Sequence, residues 1–120
     1  MYRISVSASF SSAHFLRNYR GKCEKIHGHN WKVILTVESK ILKNNMVMDF
    51  SELKKILKDV LSKLDHKTLN DIPPFTKENP TSERIAKFIA DKIKMKLPSG
   101  VKISSVQVFE TENSSATYLK

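Results

Sequence analysis

The sequence predicts an α+β fold in which two helices cover one face of an antiparallel sheet. Two observations indicate the elements: apolar residues alternate with polar ones near both ends of the chain, as in half-buried strands, and two stretches between them repeat apolar residues at helical spacing. A third observation sets the size. The chain has 120 residues, 40% of them hydrophobic and 28% charged, which suits one compact core. The predicted order is ββααββ in a single domain over residues 1–120.

Two strands are predicted in the first third of the chain. Their apolar positions recur at every second residue: Ile4, Val6, Ala8 and Phe10, then Trp31, Val33, Leu35 and Val37. An irregular, charged segment over residues 15–26 separates the two strands. Met46-Val47-Met48 is expected to form a short strand that leads into the first helix.

The two helices follow in the middle of the chain. Asp49 with Glu52 three residues later is a helix-start signal, and the apolar face that follows it runs to Leu64. Asn79-Pro80 predicts the start of the second helix, because proline is tolerated in the first helical turn. This second helix is expected to end before Pro98.

The last two strands are predicted after Gly100. The apolar positions of the first of them are Val101, Ile103, Val106 and Val108. Their phase shifts at Ser104-Ser105, which indicates a β-bulge. A turn at Asn113-Ser114 then leads into a final strand over residues 116–119.

The charge balance favours an anionic partner. Lys and Arg number 21 against 12 Asp and Glu, a formal net charge of +9. Nucleic acid, a membrane surface and a phosphorylated small molecule all fit such a charge. The single Cys23 excludes an internal disulfide. Because the sequence has neither a signal peptide nor a membrane-spanning apolar run, we expect a cytoplasmic protein.

Three of the four histidines are predicted to meet at one end of the sheet. His27 and His29 are two residues apart at the start of a strand, so their side chains point to the same face. His14 ends the first strand, which can pair with the second. Three imidazoles with an open fourth position describe a catalytic zinc site. The alternative is a surface H-x-H motif with an unrelated His14.

Cys23 lies four residues before His27, in a polar setting. It is interpreted as a fourth zinc ligand, as a nucleophile or base, or as a small apolar filler. The neighbouring Lys22 and Lys25 favour the reactive thiolate.

Two acidic residues complete the candidate chemistry. Asp65 precedes His66, so it either orients an imidazole for proton transfer or belongs to an ordinary helix end. Glu110 ends the third long strand, where a carboxylate can pair with adjacent N–H donors of a flat heterocycle. Otherwise Glu110 is an exposed glutamate.

Six sequence blocks, which follow one another in the order found in the family, resemble the 6-pyruvoyltetrahydropterin synthase superfamily. The similarity is closest to its 6-carboxy-5,6,7,8-tetrahydropterin synthase branch, which belongs to queuosine biosynthesis. The blocks cover residues 10–14, 23–29, 48–54, 64–70, 78–83 and 108–111.

The resemblance implies a tunnelling fold (T-fold). This fold is a four-stranded antiparallel sheet with two helices on one face, and its subunits close into an oligomeric β-barrel. The implied assembly is a homohexamer, a dimer of trimers, with active sites between subunits.

The resemblance also implies a role for each candidate residue. The zinc ligands would be His14, His27 and His29. The proton-transfer group would be Cys23, Asp65 and His66. Pterin binding would involve Glu110 as the anchor, with Thr81 and Ser82 close to the ring.

The implied enzyme is a zinc-dependent carbon–carbon lyase. It would convert 7,8-dihydroneopterin triphosphate, an anion that suits the basic chain, to 6-carboxy-5,6,7,8-tetrahydropterin, acetaldehyde and triphosphate. One alternative is a 6-pyruvoyltetrahydropterin synthase.

Another alternative is a branch that releases 6-hydroxymethyldihydropterin, since Glu24 fits the E-x-x-H-G-H pattern of that branch. A chain with both Cys23 and Glu24 would be bifunctional. The remaining alternative is a basic nucleic-acid-binding module, which requires exposed aromatic residues among Lys and Arg on a sheet face. We expect neither nucleic acid nor a membrane as partner.

Overall fold

The computed structural model describes residues 1–120 and shows one five-stranded sheet with two helices on one face. The strands are β1 (Tyr2–His14), β2 (His27–Ser39), β3 (Lys67–Thr68), β4 (Lys102–Thr111) and β5 (Ser114–Leu119). The helices are α1 (Phe50–Leu61) and α2 (Ser82–Lys94), and a single 3₁₀ turn covers Leu69–Asp71. The predicted α+β class is confirmed.

The strand order across the sheet is β3-β1-β2-β4-β5. All neighbours are antiparallel except β3, which pairs in parallel with β1 at Ser12 and Ala13. The prediction of four strands is therefore wrong by one, because a two-residue strand is too short to show an alternating pattern. The short strand expected at Met46–Met48 is also wrong, since only Met46 pairs there, in an isolated bridge with Lys43.

The predicted bulge in β4 is confirmed. The pairing of β2 with β4 shifts between Thr36 and Val37, which face Ser105 and Ile103, so Ser104 is the extra residue. This shift keeps the apolar side chains of β4 on the helix-covered face on both sides of the bulge.

Helix α1 begins where the start signal predicts. The Asp49 carboxylate accepts a hydrogen bond from the Ser51 backbone N–H at 2.7 Å and thereby caps the helix. The helix ends at Leu61, three residues earlier than predicted, and the chain continues in turns to Asp65.

Helix α2 begins later than predicted. Thr81 is its N-cap, with the Thr81 hydroxyl accepting from the Arg84 N–H at 3.2 Å. The helix start predicted at Asn79-Pro80 is wrong, and Asn79 does not cap the helix because its side-chain amide pairs with both backbone groups of Arg17.

The core lies between the helices and the inward face of the sheet. Its fully buried members include Trp31, Val33 and Leu35 of β2, Leu53 and Leu57 of α1, and Ile85, Ile89 and Ile93 of α2. Trp31 also donates from its ring N–H to the backbone carbonyl of Ser12 at 3.1 Å, which ties β2 to β1. Neither helix is long and apolar enough to cross a membrane.

Replacing Trp31 with Phe tests the importance of this tie. Trp31→Phe removes the ring N–H and part of a fully buried side chain, so we expect a loss of about 1–3 kcal/mol in the free energy of unfolding. Phe50→Leu, at a position that is 61% exposed, should change it by less than about 0.5 kcal/mol. Urea denaturation measures both, and equal stabilities would contradict this assignment.

Candidate metal centre and active site

The three predicted histidines lie together at one end of the inward sheet face. His14 is opposite His27 in the β1–β2 pairing, and Ser12 is opposite His29. Because side chains alternate along a strand, these positions share the face of the buried Trp31. The histidines therefore continue the core face beyond its apolar part.

The imidazole rings pack edge to face. The ring centroids are 4.7 Å apart for His14 and His27, 5.3 Å for His14 and His29, and 4.9 Å for His27 and His29. Trp31 packs edge-on against His14 and His29 at 4.9 and 5.3 Å. This apolar ring supports the histidines from the core side.

Backbone carbonyls determine which ring nitrogen is free. The Nδ1 of His14 lies 2.9 Å from the Pro80 carbonyl oxygen, and the Nδ1 of His27 lies 2.9 Å from that of Lys25. A carbonyl oxygen only accepts, so each Nδ1 carries a hydrogen, and in the neutral ring the Nε2 then has the bare lone pair. Backbone acceptors of this kind orient metal-binding histidines.

Two of the Nε2 atoms are buried without a hydrogen-bond partner, those of His14 and His29. Buried polar atoms without a partner are rare in folded proteins and call for an explanation. Burial also lowers the pKa of His29 from its ordinary value and outweighs the opposite effect of the Glu110 carboxylate. Neutral imidazoles with bare lone pairs are the form that binds a metal ion.

Glu110 joins the histidines. Its Oε1 lies 3.1 Å from the His14 Nε2 and 3.7 Å from the His29 Nε2, and the ligand atoms of Glu110 and the three histidines all lie within 4.8 Å of one another. The β4–β5 pairing skips Glu110, because Phe109 faces Ser115 and Thr111 faces Ser114. A bulge of this kind re-aims a side chain. We call His14, His27, His29 and Glu110 the metal group.

The residues of the metal group fit a metal ion. Three neutral imidazoles and a carboxylate are a donor set that Zn²⁺ accepts, at about 2.0–2.2 Å from each ligand atom. An ion at the centre would give the unpaired Nε2 atoms of His14 and His29 the partner that the protein does not supply. The sequence predicted the three histidines, but not the position of Glu110 beside them.

Cys23 lies outside the metal group, on the surface, and makes no hydrogen bond. Its exposure contradicts the interpretation as an apolar filler. The adjacent Glu24 is half-buried: its carboxylate accepts from the Leu16 N–H at 3.0 Å, and its own N–H donates to the Leu16 carbonyl at 2.9 Å. Glu24 therefore has a structural partner within the chain.

Asp65 contacts His66, which is the geometry that the first of the two interpretations of this pair requires. One carboxylate oxygen of Asp65 lies 2.9 Å from the His66 Nδ1, and the other accepts from the Ser11 N–H at 2.8 Å. The Ser11 N–H is the main reason that the pKa of Asp65 lies below its ordinary value. The His66 side chain is 82% exposed, so its Nε2 is available to a substrate or another subunit. Neither residue hydrogen-bonds to Cys23.

The start of α2 touches the metal group through its backbone. The Pro80 carbonyl orients His14, and the next residue, Thr81, caps the helix. Thr81 and Ser82 are both half-buried. The carbonyls of Pro80 and Lys25 are functional groups that sequence analysis missed, since a backbone atom leaves no side-chain signal.

Two asparagines whose role sequence analysis missed hold the chain that leaves β1. The Asn70 amide accepts from the Phe15 N–H at 3.0 Å and donates to the Phe15 carbonyl at 2.9 Å. The Asn79 amide pairs in the same way with Arg17, at 2.8 and 3.0 Å. Each side-chain amide thus makes the two hydrogen bonds that a residue of a neighbouring strand would otherwise make with the backbone. These hydrogen bonds hold the start of the segment between His14 and Cys23 in place. The position of Asn70 between the apolar Leu69 and Ile72 is the one feature of the sequence that could have indicated this role.

Comparisons with known proteins agree with this architecture. Residues 3–120 match the family model described as 6-pyruvoyl tetrahydropterin synthase. A Synechocystis 6-carboxy-5,6,7,8-tetrahydropterin synthase is 40% identical over 124 aligned residues, covering 98% of this chain and 93% of the relative. A Pyrococcus furiosus dihydroneopterin monophosphate aldolase is 39% identical over 108 residues, covering 90% and 89%.

A solved structure extends the agreement to the fold. The Caenorhabditis elegans 6-pyruvoyl tetrahydropterin synthase superposes with a TM-score of 0.83 at 26% identity, covering 99% of this chain and 95% of that one. The fold and the metal group thus define a T-fold protein with a candidate metal centre. The chain belongs to the 6-pyruvoyl tetrahydropterin synthase family, as its sequence blocks predicted.

Substitution of single histidines tests the metal group. His29→Ala should weaken zinc binding by at least about 100-fold, because it removes a direct ligand and even outer-shell changes cost 10- to 100-fold. His66→Ala, at an exposed histidine outside the group, should leave zinc binding unchanged. Competition with a chelator measures both. Undiminished zinc in His29→Ala, with circular dichroism showing a folded chain, would exclude the three-histidine assignment.

Substitution of Asn70 tests the support of the segment after β1. Asn70→Ala leaves the N–H and carbonyl of Phe15 without partners at a site where Asn70 is only 4% exposed. We expect a loss of about 2–3 kcal/mol in the free energy of unfolding. Asn113→Ala, at an exposed turn, should be close to neutral. Equal unfolding midpoints for the two variants would contradict the role of Asn70.

Proposed function

We propose that the protein is a zinc-dependent 6-carboxy-5,6,7,8-tetrahydropterin synthase. It would convert 7,8-dihydroneopterin triphosphate to 6-carboxy-5,6,7,8-tetrahydropterin, acetaldehyde and triphosphate, an early step towards 7-deazaguanine nucleosides in the cytoplasm. The observation that carries the proposal is the convergence of three imidazoles, two of them with buried and unpartnered Nε2 atoms. The Synechocystis relative, 40% identical to this chain, supports the choice of reaction.

The metal group is the proposed centre of the reaction. A zinc ion held by His14, His27 and His29 would supply Lewis acidity towards the hydroxyl groups of the substrate side chain. Glu110 is proposed to accept hydrogen bonds from the N–H donors of the pterin ring. Its side chain is 35% exposed, so a ring can reach it.

Proton transfer is assigned to Cys23, Asp65 and His66. The Cys23 thiolate would remove a proton from the substrate side chain. His66, held by Asp65 at 2.9 Å, would then move protons through its exposed Nε2. Thr81 and Ser82, at the start of α2, are proposed to lie beside the ring.

The proposed site is completed by other copies of the chain. Within one chain no hydrogen bond joins Cys23 to the Asp65–His66 pair, and both edges of the sheet are open. On its outer side β1 has no strand partner over residues 2–10, and β5 has no strand partner on the side away from β4. Open edges pair readily with other strands. We propose that neighbouring subunits close these edges into a barrel, in a hexamer of two trimers.

The charge of the chain fits an anionic substrate, and the outward face of the sheet argues against nucleic acid. The segment that carries Cys23 has four basic residues, Arg17, Arg20, Lys22 and Lys25, and Glu24 is its one acid. The outward face of the sheet carries many hydroxyl side chains, including the hydrogen-bonded Ser5 and Thr36. Its single aromatic, Phe109, lies under Lys32. A nucleic-acid site would need several exposed aromatic rings.

Identification of the products tests the proposed reaction directly. Zinc-loaded protein incubated with 7,8-dihydroneopterin triphosphate should release 6-carboxy-5,6,7,8-tetrahydropterin together with acetaldehyde, detected by chromatography and mass spectrometry. A 6-pyruvoyl product would assign the protein to the other synthase branch, and an unchanged substrate would refute the proposed activity.

A second candidate is the cleavage that releases 6-hydroxymethyldihydropterin. The Pyrococcus furiosus aldolase, 39% identical to this chain, favours it. Glu24 would then act as a second base. The hydrogen bond from the Leu16 N–H to the Glu24 carboxylate at 3.0 Å leaves the second carboxylate oxygen free for that role.

Two single substitutions separate these chemistries. Cys23→Ala should reduce formation of the carboxy product by about 100-fold or more, because it removes a positioned acid–base group. Zinc should remain, since Cys23 is outside the metal group. Glu24→Ala should abolish only 6-hydroxymethyldihydropterin, if that product forms. Product analysis of both variants decides the matter, and full carboxy-product synthesis by Cys23→Ala would exclude the thiol as the base.

A further inference from the structure

We propose that Glu110 is a fourth protein ligand of the metal in the substrate-free protein, and that it leaves the metal for the pterin ring when substrate binds. The first part rests on the geometry of the metal group. The second part rests on the proposed function, in which Glu110 accepts hydrogen bonds from the ring.

The distances around Glu110 are those of ligands that share one ion. Ligand atoms at about 2.0–2.1 Å from a tetrahedral ion lie about 3.3–3.4 Å from one another. The Glu110 Oε1 is 3.1 Å from the His14 Nε2 and 3.7 Å from the His29 Nε2, so the two distances bracket that value. An oxygen at these distances would take the fourth position that the three histidines leave open.

The orientation of the His14 ring supports the same conclusion. Its Nδ1 donates to the Pro80 carbonyl at 2.9 Å, and this directs the Nε2 edge of the ring towards the Glu110 carboxylate at 3.1 Å. A metal ion between the His14 Nε2 and the Glu110 Oε1 would be coordinated by both atoms, and it would also satisfy the unpartnered Nε2 of His29.

Glu110 is free to move away from this position. Its carboxylate lies near the Nε2 atoms of His14 and His29 and forms no hydrogen bond with any other group of the chain. It lies at a bulge, and its side chain is 35% exposed while that of His14 is 2% exposed. The histidines are therefore fixed, whereas the carboxylate can exchange partners.

This exchange would couple substrate binding to access to the metal. With four protein ligands the metal group is closed, as in structural zinc sites, and with three it has the open position of a catalytic site. A pterin ring that takes the carboxylate would open that position for its own side chain. Since binding of the two ligands is linked, the ring should also weaken metal binding.

The affinity for metal in the absence of substrate tests the first part. Glu110→Ala should bind Zn²⁺ about 10- to 100-fold more weakly than the unmodified protein in competition with a chelator. The control variant Glu112→Ala changes an exposed glutamate in the turn between β4 and β5, and it should bind Zn²⁺ as tightly as the unmodified protein. Glu110→Gln, which keeps the side-chain size, should fall between them and guards against misfolding. Equal affinities for Glu110→Ala and Glu112→Ala in folded protein would overturn the proposal.

The absorption spectrum of Co²⁺-loaded protein tests the exchange. Saturating 6-methylpterin, which has the ring donors but no hydroxylated side chain, should shift the Co²⁺ bands and weaken Co²⁺ binding, and Glu110→Ala should abolish the shift. If 6-methylpterin binds and the spectrum stays unchanged, the exchange is refuted while the proposed pterin site stands. If 6-methylpterin does not bind the unmodified protein, the proposed function fails and the exchange with it.

Discussion

The register of β1 against β2 is the constraint on which the metal group depends. All residues of β1 pair with β2, from Tyr2 opposite Ser39 to His14 opposite His27. A slip by one residue would turn His14 to the opposite face of the sheet. The buried Trp31, with its hydrogen bond to the Ser12 carbonyl, opposes that slip next to the histidines. The alternation that buries the core thus also aims the ligands.

The three residues before α2 join the fold to the site. The Asn79 amide holds the backbone of Arg17, the Pro80 carbonyl orients His14, and the Thr81 hydroxyl caps the helix. Each of these groups is satisfied by a different part of the chain. The apolar face of α2 packs on the sheet and so keeps all three contacts in place. Folding of the second helix is therefore linked to the orientation of His14, which is far from it in sequence.

Much of the fold and three residues of the metal group could be predicted, because apolar residues and histidines recur there at the short spacings of strands and helices. Alternation indicated β1, β2 and β4, and the shift at Ser104 indicated the bulge. Contacts that depend on tertiary packing could not be predicted. The two-residue β3 has no period, Asn79 serves Arg17 instead of capping α2, and Glu110 reaches the histidines only because β4 bulges against β5.

X-ray absorption at the zinc edge of the zinc-loaded protein tests whether the metal group holds the ion. We expect three imidazole nitrogens at about 2.0–2.1 Å, with oxygen completing the shell. We expect no sulfur at about 2.3 Å, because Cys23 is exposed and outside the metal group. A sulfur ligand, or fewer than three imidazoles around the zinc, would exclude the metal group as the zinc site.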